Sequence, residues 1–272
     1  MKLQQIGLCA AIVGIVFFGS IACVSLWWTP CDPLKPQLTQ INHLPSPTHL
    51  FGTDDRGRDI LSRIMLGARY SLSISVISTI GALVVGCVLG FIGGYYGGAA
   101  DSMISFFITM TLAFPSLLLA IGVSSVMNPG YWAILFTLII ISWAGFAKLM
   151  RAETLKMKNA DHVTASRAMG ASGFYIFLRH MAPLSSGVII TAFSLQLGVA
   201  ILAESSLSFL GFGIQPPLPT WGNMISQGRD YFRSAPWISL IPGIMITMLI
   251  ICFNVFGETY NQLYKNRFMK RR

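Results

Sequence analysis

Asp161-His162-Val163-Thr164-Ala165-Ser166-Arg167-Ala168-Met169-Gly170-Ala171-Ser172 forms the centre of a polar, basic stretch, residues 148–183, set between two long apolar runs. Asp161 is placed to cap a helix, its carboxylate accepting the orphan N–H groups of the next turn. Gly170 is placed to close that helix in the left-handed conformation. Ser172 offers a second cap, ahead of an amphipathic segment that runs to Pro183. The spacing therefore predicts a helix of about two turns, a glycine joint and a second short helix, held between apolar segments. Such a protrusion suits docking in a partner's groove. A plain solvated connector is the alternative reading, and the local signals leave both open.

The flanking runs set the class. The chain has 272 residues, 54% hydrophobic and 11% charged, with a mean hydropathy of +0.65. Soluble domains carry roughly 25% charged residues, so the composition points to an all-α integral membrane protein. The net charge of +9 could suggest nucleic acid. The basic residues are spread over many short loops, however, with no aromatic-interleaved basic face, which argues against it. Cys9, Cys23, Cys87 and Cys252 lie in apolar runs and behave as small hydrophobes. Cys31 alone is expected to be exposed, and no disulfide framework or metal-ligand spacing emerges.

In chain order, residues 6–28 are uncharged and long enough to cross a hydrocarbon core of about 30 Å, with Trp27 and Trp28 at the interface. A cleaved leader is the rival reading; apolar character persists past Cys23, and Ser20 is a poor lipobox residue, so a retained span is expected. Residues 29–69 form a proline-rich polar loop. Residues 70–96 form a second span whose Gly81, Gly86, Gly90, Gly93 and Gly94 permit close helix approach. No charge falls between Asp101 and Lys148, and Asn128-Pro129-Gly130 divides that run, with a kink expected at Pro115. Spans over 131–147, 184–203 and 237–256 bring the total to about six. Residues 1–69 are thus read as a first helix and loop, and 70–272 as a five-helix core. Glu204 is the carboxylate deepest in a span, either a pathway residue or an interfacial cap.

Phe51-Gly52-Thr53-Asp54-Asp55-Arg56-Gly57-Arg58-Asp59 does not carry its carboxylates at the spacing of a calcium loop. It strongly resembles the G-T-D-x-x-G-R-D signature of dipeptide/oligopeptide/nickel-type ABC importer permeases, through Gly52, Thr53, Asp54, Gly57, Arg58 and Asp59. The stretch from Glu204 through Gly211 and Gly213 to Trp221-Gly222 is similar to the same family. Residues 164–170, with Pro183 downstream, resemble the family's E-A-A loop. Ala165, Arg167, Ala168 and Gly170 fit that pattern, whereas Thr164 stands in place of the leading Glu and Ser166 in place of the second Ala. The resemblance implies a type I ABC importer permease fold. In it, Thr164, Ala165, Ser166, Arg167, Ala168, Met169 and Gly170 would form a cytoplasmic coupling helix, and residues 52–59 and 211–222 would lie on the extracytoplasmic side. It also implies as partners a homologous permease subunit, two ATPase subunits and a solute-binding protein, in a bacterial inner membrane.

Charge asymmetry gives the orientation. Lys2, the 148–183 stretch and the tail from Lys265 together carry more Lys and Arg than the opposite side, which holds Lys35, Arg56, Arg58, Arg63, Arg69, Arg229 and Arg233. The positive-inside bias places both termini and the 148–183 stretch in the cytoplasm. No G-x-x-x-x-G-K-[ST], H-E-x-x-H or G-x-S-x-G stretch occurs, and the four histidines fall in loops. The expectation is therefore a non-enzymatic subunit with no cofactor and no metal. By the resemblance, it would form half of an ATP-driven pathway for di- or oligopeptides or nickel. An ion-coupled secondary transporter is the competing class; it needs ionisable residues within the spans, whereas Asp101, Glu204 and Glu258 fall at span edges.

Overall fold

The computed structural model describes residues 2–269, with side chains described for 5–263. The side chains of Lys2 and of the basic tail from Lys265 onward, used in the charge argument, lie outside the described residues. The described residues form ten α-helices: α1 Lys2–Val24, α2 Ile60–Tyr96, α3 Gly98–Ala113, α4 Ser116–Ser125, α5 Tyr131–Met157, α6 Asp161–Ala168, α7 Gly173–Ile176, α8 Ala182–Phe209, α9 Trp221–Gly228 and α10 Trp237–Met269. Among the described residues the only β pairing is an isolated bridge between Thr53 and Asp59.

Several boundaries differ from the sequence reading, each for a local reason. α2 begins at Ile60 because Asp59 caps it, accepting the Ser62 N–H. Residues 60–69, expected in the loop, are thus its first turns, and the expected division at residue 69 falls inside α2. At 37 residues and 1.5 Å per residue, α2 is about 55 Å long and projects well beyond a hydrocarbon core. Pro115 does not kink a span; it breaks one. Phe114, forced into the extended region by the following proline, and Pro115 itself both leave helical geometry, and α3 and α4 meet at 97°. α5 continues helically through 148–157, where Met150 and Thr154 are buried. Pro183 ends nothing: α7 passes through a π turn, Phe177–Met181, into α8 with Pro183 in its opening turn. The wider turn, in which the Ala182 N–H reaches Phe177 O, accommodates a residue that cannot donate.

The topology follows from neighbouring pairs. Along α2, Gly86 lies on Trp143 and Phe146, Gly90 on Ala147 and Gly94 on Arg151 and Thr154, so α2 and α5 run parallel. The α3–α4 pair must then return the chain across the layer, as its contacts show: Asp101 of α3 meets Arg151 near the end of α5, and Ser124 of α4 meets Thr137 near its start. The bent pair is one crossing, which brings the total to six. A Cβ on Gly86 would stand 2.5 Å from Trp143 O, so the close α2–α5 approach requires glycine there. In lipid, where apolar side chains gain little by meeting each other, such backbone proximity holds helices together.

Packing is layered. At one end Phe18, Ala68, Leu197, Trp221 and Leu249 cluster; further along, Ile74, Ala120, Ile134, Leu138 and Leu207; at the other end Phe91, Met150, Val163, Ile176 and Met181. The N-terminal end of α1, beside Thr259 of α10, lies at the same end as α6.

Candidate functional site

Three regions carry the chemistry: a polar cap at one end, a cleft midway, and α6 at the other end. The cap is built from the 52–59 segment. Gly52 and Gly57 adopt positive φ, +76° and +72°, and a Cβ on Gly52 would stand 2.6 Å from His43 O and 2.8 Å from the Trp237 indole nitrogen. Only glycine fits that turn. Thr53 donates through its hydroxyl to Gln40 O and accepts the His43 N–H at 2.8 Å. Asp54 accepts from the Arg56 and Arg58 N–H groups with one oxygen, and its other oxygen lies 2.8 Å from Arg58 Nε and 3.2 Å from Arg63 Nε. Both arginines also reach Gln227 Oε1, which ties the loop to α9. Asp59 accepts from the Ser62 N–H and hydroxyl while its second oxygen sits 2.9 Å from His49 Nδ1.

This is a buried ionic network. Burial pushes the Asp55 carboxyl above its ordinary range, the Asp54 charge adds to the rise, and Arg58, Arg56 and Arg63 oppose it. The Cys31 thiol is likewise raised, first by burial and then by the Asp59 charge. Cys31, expected to be exposed, is half-buried, and its N–H donates to Ser62 Oγ at 2.9 Å; the exposed cysteines are Cys9 and Cys23, on the outer surface of α1.

The second family-like segment folds beneath the first. Gly211 has a φ of +89°, while Gly213 and Gly222 lie flat against Ser208 and Ser205. Thr220 and Asn223 form a capping box at the start of α9. Trp221 is fully buried and donates from its indole to Ile64 O at 3.1 Å. Glu204 is the hub. Fully buried, it receives the hydroxyls of Ser208 at 2.8 Å and Ser205 at 3.3 Å, and those of Ser71 and Thr220 also bond to it. The carboxyl group thereby joins α2, α8 and the α9 cap. It lines neither the central cleft nor any other described cavity, and it does not cap a helix end.

The cleft, about 410 Å³, lies where the α3–α4 break faces α5 and α8, lined by Ser116, Ala120, Ser142, Gly145, Gln196 and Ser206 among apolar neighbours. Gln196 donates to Ser142 at 3.0 Å. Towards the α6 end, Asp101 and Arg151 form a two-point ion pair of 2.5 and 2.8 Å that ties α3 to α5.

At the far end, α6 presents most of its surface. Val163 and Ser166 are buried, whereas Thr164, Ala165, Arg167, Ala168, Met169 and Gly170 are exposed. Asp161 is the first helical residue and caps nothing; Ala160 holds the cap position, without a side-chain bond. The helix closes as the glycine implies: Gly170 sits at φ +85°, its N–H reaching Arg167 O and the Ala171 N–H reaching Ser166 O, which is a Schellman closure. Ser172 caps α7 through the Tyr175 N–H. Ser166 donates to His162 O, so its oxygen receives His180 Nε2 at 2.9 Å. Arg167 stacks over Tyr95.

Sequence reasoning singled out the motif residues but did not pair them with Arg63, Gln227, Ser71 and Trp237, their partners. Nothing in the local sequence pairs Arg58 and Arg63 with Gln227, more than 160 positions away; the signals that were available are the cap-type side chains of Asp59 and Thr220.

Comparisons with known proteins agree with this geometry. Residues 82–268 match the family described as binding-protein-dependent transport system inner membrane component. The dipeptide transport system permease protein DppC of Alkalihalophilus pseudofirmus is 36% identical over 91% of this chain and 83% of its own length. The glutathione transport system permease protein GsiD of Pectobacterium atrosepticum is 38% identical over 80% of this chain and 73% of its own. Among solved structures, an inward-facing conformation of the MetNI methionine ABC transporter has a chain that superimposes with a TM-score of 0.59 at 15% identity, covering 74% of this chain and 95% of that one. That likeness is one of fold.

Proposed function

The chain belongs to the family of binding-protein-dependent transport system inner membrane components, and on that premise we propose that it forms one half of the translocation pathway of an ATP-driven importer of short peptides. Its partners in this reading are a homologous permease, two ATPase subunits and an extracytoplasmic binding protein. It carries no nucleotide-binding motif of its own, so ATP hydrolysis falls to the ATPase subunits. The charge bias of the sequence supports a cytoplasmic location for α6 and both termini.

The observation that carries the proposal is the mounting of α6. The helix is anchored through Val163 and Ser166, with Arg167 stacked over Tyr95, and offers most of its remaining face to a partner. Val163 inserts among Met150 of α5, Phe91 of α2 and Met181 ahead of α8, so a pull on α6 is transmitted to the helices that wall the central cleft. ATP favours the closed ATPase dimer, and because α6 moves with that dimer, ATP biases the cleft between inward- and outward-open states through differential binding. The outer cap, locked by Asp54 and Glu204, would offer the binding protein a fixed surface. An ion-coupled mechanism finds no support in the cleft, whose polar lining residues Ser116, Ser142, Gln196 and Ser206 are all neutral.

Peptide cargo is favoured by the relatives' names and by a cleft that pairs amide and hydroxyl groups with apolar walls. The test is uptake of a labelled dipeptide, of labelled glutathione and of radioactive nickel in cells with and without this chain, with other importers removed. Loss of dipeptide or glutathione uptake supports the reading and tells the two apart. Loss of nickel uptake alone makes it a metal importer subunit, and no change in any cargo overturns the assignment.

A further inference from the structure

In the outer cap, Cys31, His49 and Asp59 bring a thiol sulfur, an imidazole nitrogen and a carboxylate oxygen within 4.8 Å of one another. The three come from separate parts of the first loop: just past α1, within the proline-rich stretch, and at the cap of α2. Their surroundings are already ordered. Asp59 Oδ2 is committed to Ser62, leaving Oδ1 towards the cluster. The Cys31 backbone is pinned by its bond to Ser62 Oγ.

The histidine makes the argument specific. His49 Nε2 stands 2.7 Å from the Gln40 side-chain oxygen, which can only accept, so Nε2 carries the hydrogen. Nδ1 stands 2.9 Å from Asp59 Oδ1. With Nε2 as the donor, Nδ1 turns its lone pair towards Asp59 Oδ1, so the two atoms share either a hydrogen or a metal ion between or beside them. A ligating imidazole whose outer nitrogen is held by a carbonyl-type oxygen is the arrangement that fixes a histidine for metal binding.

We propose that Cys31, His49 and Asp59 form a binding site for one borderline divalent transition-metal ion, Zn²⁺ or Co²⁺ in character. The mixed S, N and O donor set suits such ions and not Mg²⁺ or Ca²⁺, which take oxygen ligands. Binding releases the thiol proton to solvent, draws the sulfur in from a separation of at most 4.8 Å and opens the 2.9 Å gap between His49 Nδ1 and Asp59 Oδ1 by about 0.5 Å, to tetrahedral spacing around bonds of about 2.0–2.3 Å. The ion would staple the far side of α1 to the first turn of α2 and fix the loop that carries the 52–59 segment. The site is separate from the central cleft and does not depend on which cargo the chain carries.

The test uses the full chain purified in detergent, loaded with Co²⁺ and desalted. The expected result is one retained Co²⁺ per chain, a near-ultraviolet thiolate-to-cobalt band, and metal-dependent protection of Cys31 from maleimide, read on its peptide by mass spectrometry. Cys31→Ser, which replaces the thiol by a hydroxyl at a half-buried position, should abolish the band and lower retention by at least about tenfold, the minimum seen for lost support of a metal site. His49→Gln should do the same provided its thermal midpoint matches the parent without metal; if it unfolds, Cys31→Ser decides alone. Absence of the band in the parent chain, or equal Co²⁺ retention by the parent and Cys31→Ser, overturns the site.

Discussion

In the 52–59 cap Asp54, Arg58 and Asp59, with Arg63 beside them, are each no more than 3% exposed, whereas at the α6 end Met169 is 80% exposed and Thr164, Ala165 and Arg167 stand open beside it. Both regions carry family-like patterns of comparable length. In the cap, the pattern spends its charged residues on one another. In α6, a buried valine and serine hold a helix that is otherwise mostly exposed, with Arg167 resting on Tyr95. A motif of alternating charges is therefore not by itself an exposed surface; here it is the scaffold, and the plainer run of small residues is the one left open.

The comparison breaks most decisively at Asp54. Asp54→Ala leaves two buried guanidinium groups without their carboxylate, and removing one partner of such a network costs roughly 3–5 kcal/mol. A marked fall in thermal midpoint in detergent is expected, and an unchanged midpoint would mean the cap is not the scaffold described. Glu204→Ala strands hydroxyls from α2, α8 and α9, a loss of about 3 kcal/mol, with Glu204→Gln recovering much of it. If instead Glu204→Ala kept its midpoint and lost uptake, Glu204 would belong to the pathway after all.

Gly170→Asp sharpens the contrast. A Cβ at Gly170 meets nothing within 4 Å, so the strain is only that of a left-handed side-chain residue, about 1–2 kcal/mol. Uptake should nonetheless fall towards background while ATP hydrolysis by the assembled complex continues. Normal uptake by this variant would remove α6 from the coupling role. The smallest effect is expected at Ser166→Ala, which restores the family's alanine and deletes the bond to His180, worth about 1 kcal/mol. The readout is a midpoint shift of a few degrees with uptake within about twofold of the parent.

Much of this was legible in the residues. The apolar runs gave the six crossings, because hydrocarbon admits few charges and a fixed helix length. Gly170 and Ser172 announced the joint after α6, because a positive φ and an orphan N–H each call for a particular residue type. Helix ends were less legible. Lys148 and Arg151 read as loop, yet α5 carries them onward, since a helix can leave the membrane without ending. Asp161 has the right side chain for a cap and does not serve as one, because the chain entered the helix one residue earlier.

The sequence by itself determined the class, the order of the spans, the glycines that turns and close approaches demand, and the absence of a nucleotide-binding loop, since each rests on chemistry confined to neighbouring residues. Only the tertiary structure decided that Pro115 breaks its span at 97°, that Glu204 ties three helices instead of facing a cleft, and that Cys31, His49 and Asp59 meet. Those outcomes depend on what approaches from elsewhere in the chain. A side chain's role as pillar, pore lining or ligand is set by its spatial neighbours, and residues such as Arg63 and Gln227 become neighbours only when the helices between them have packed.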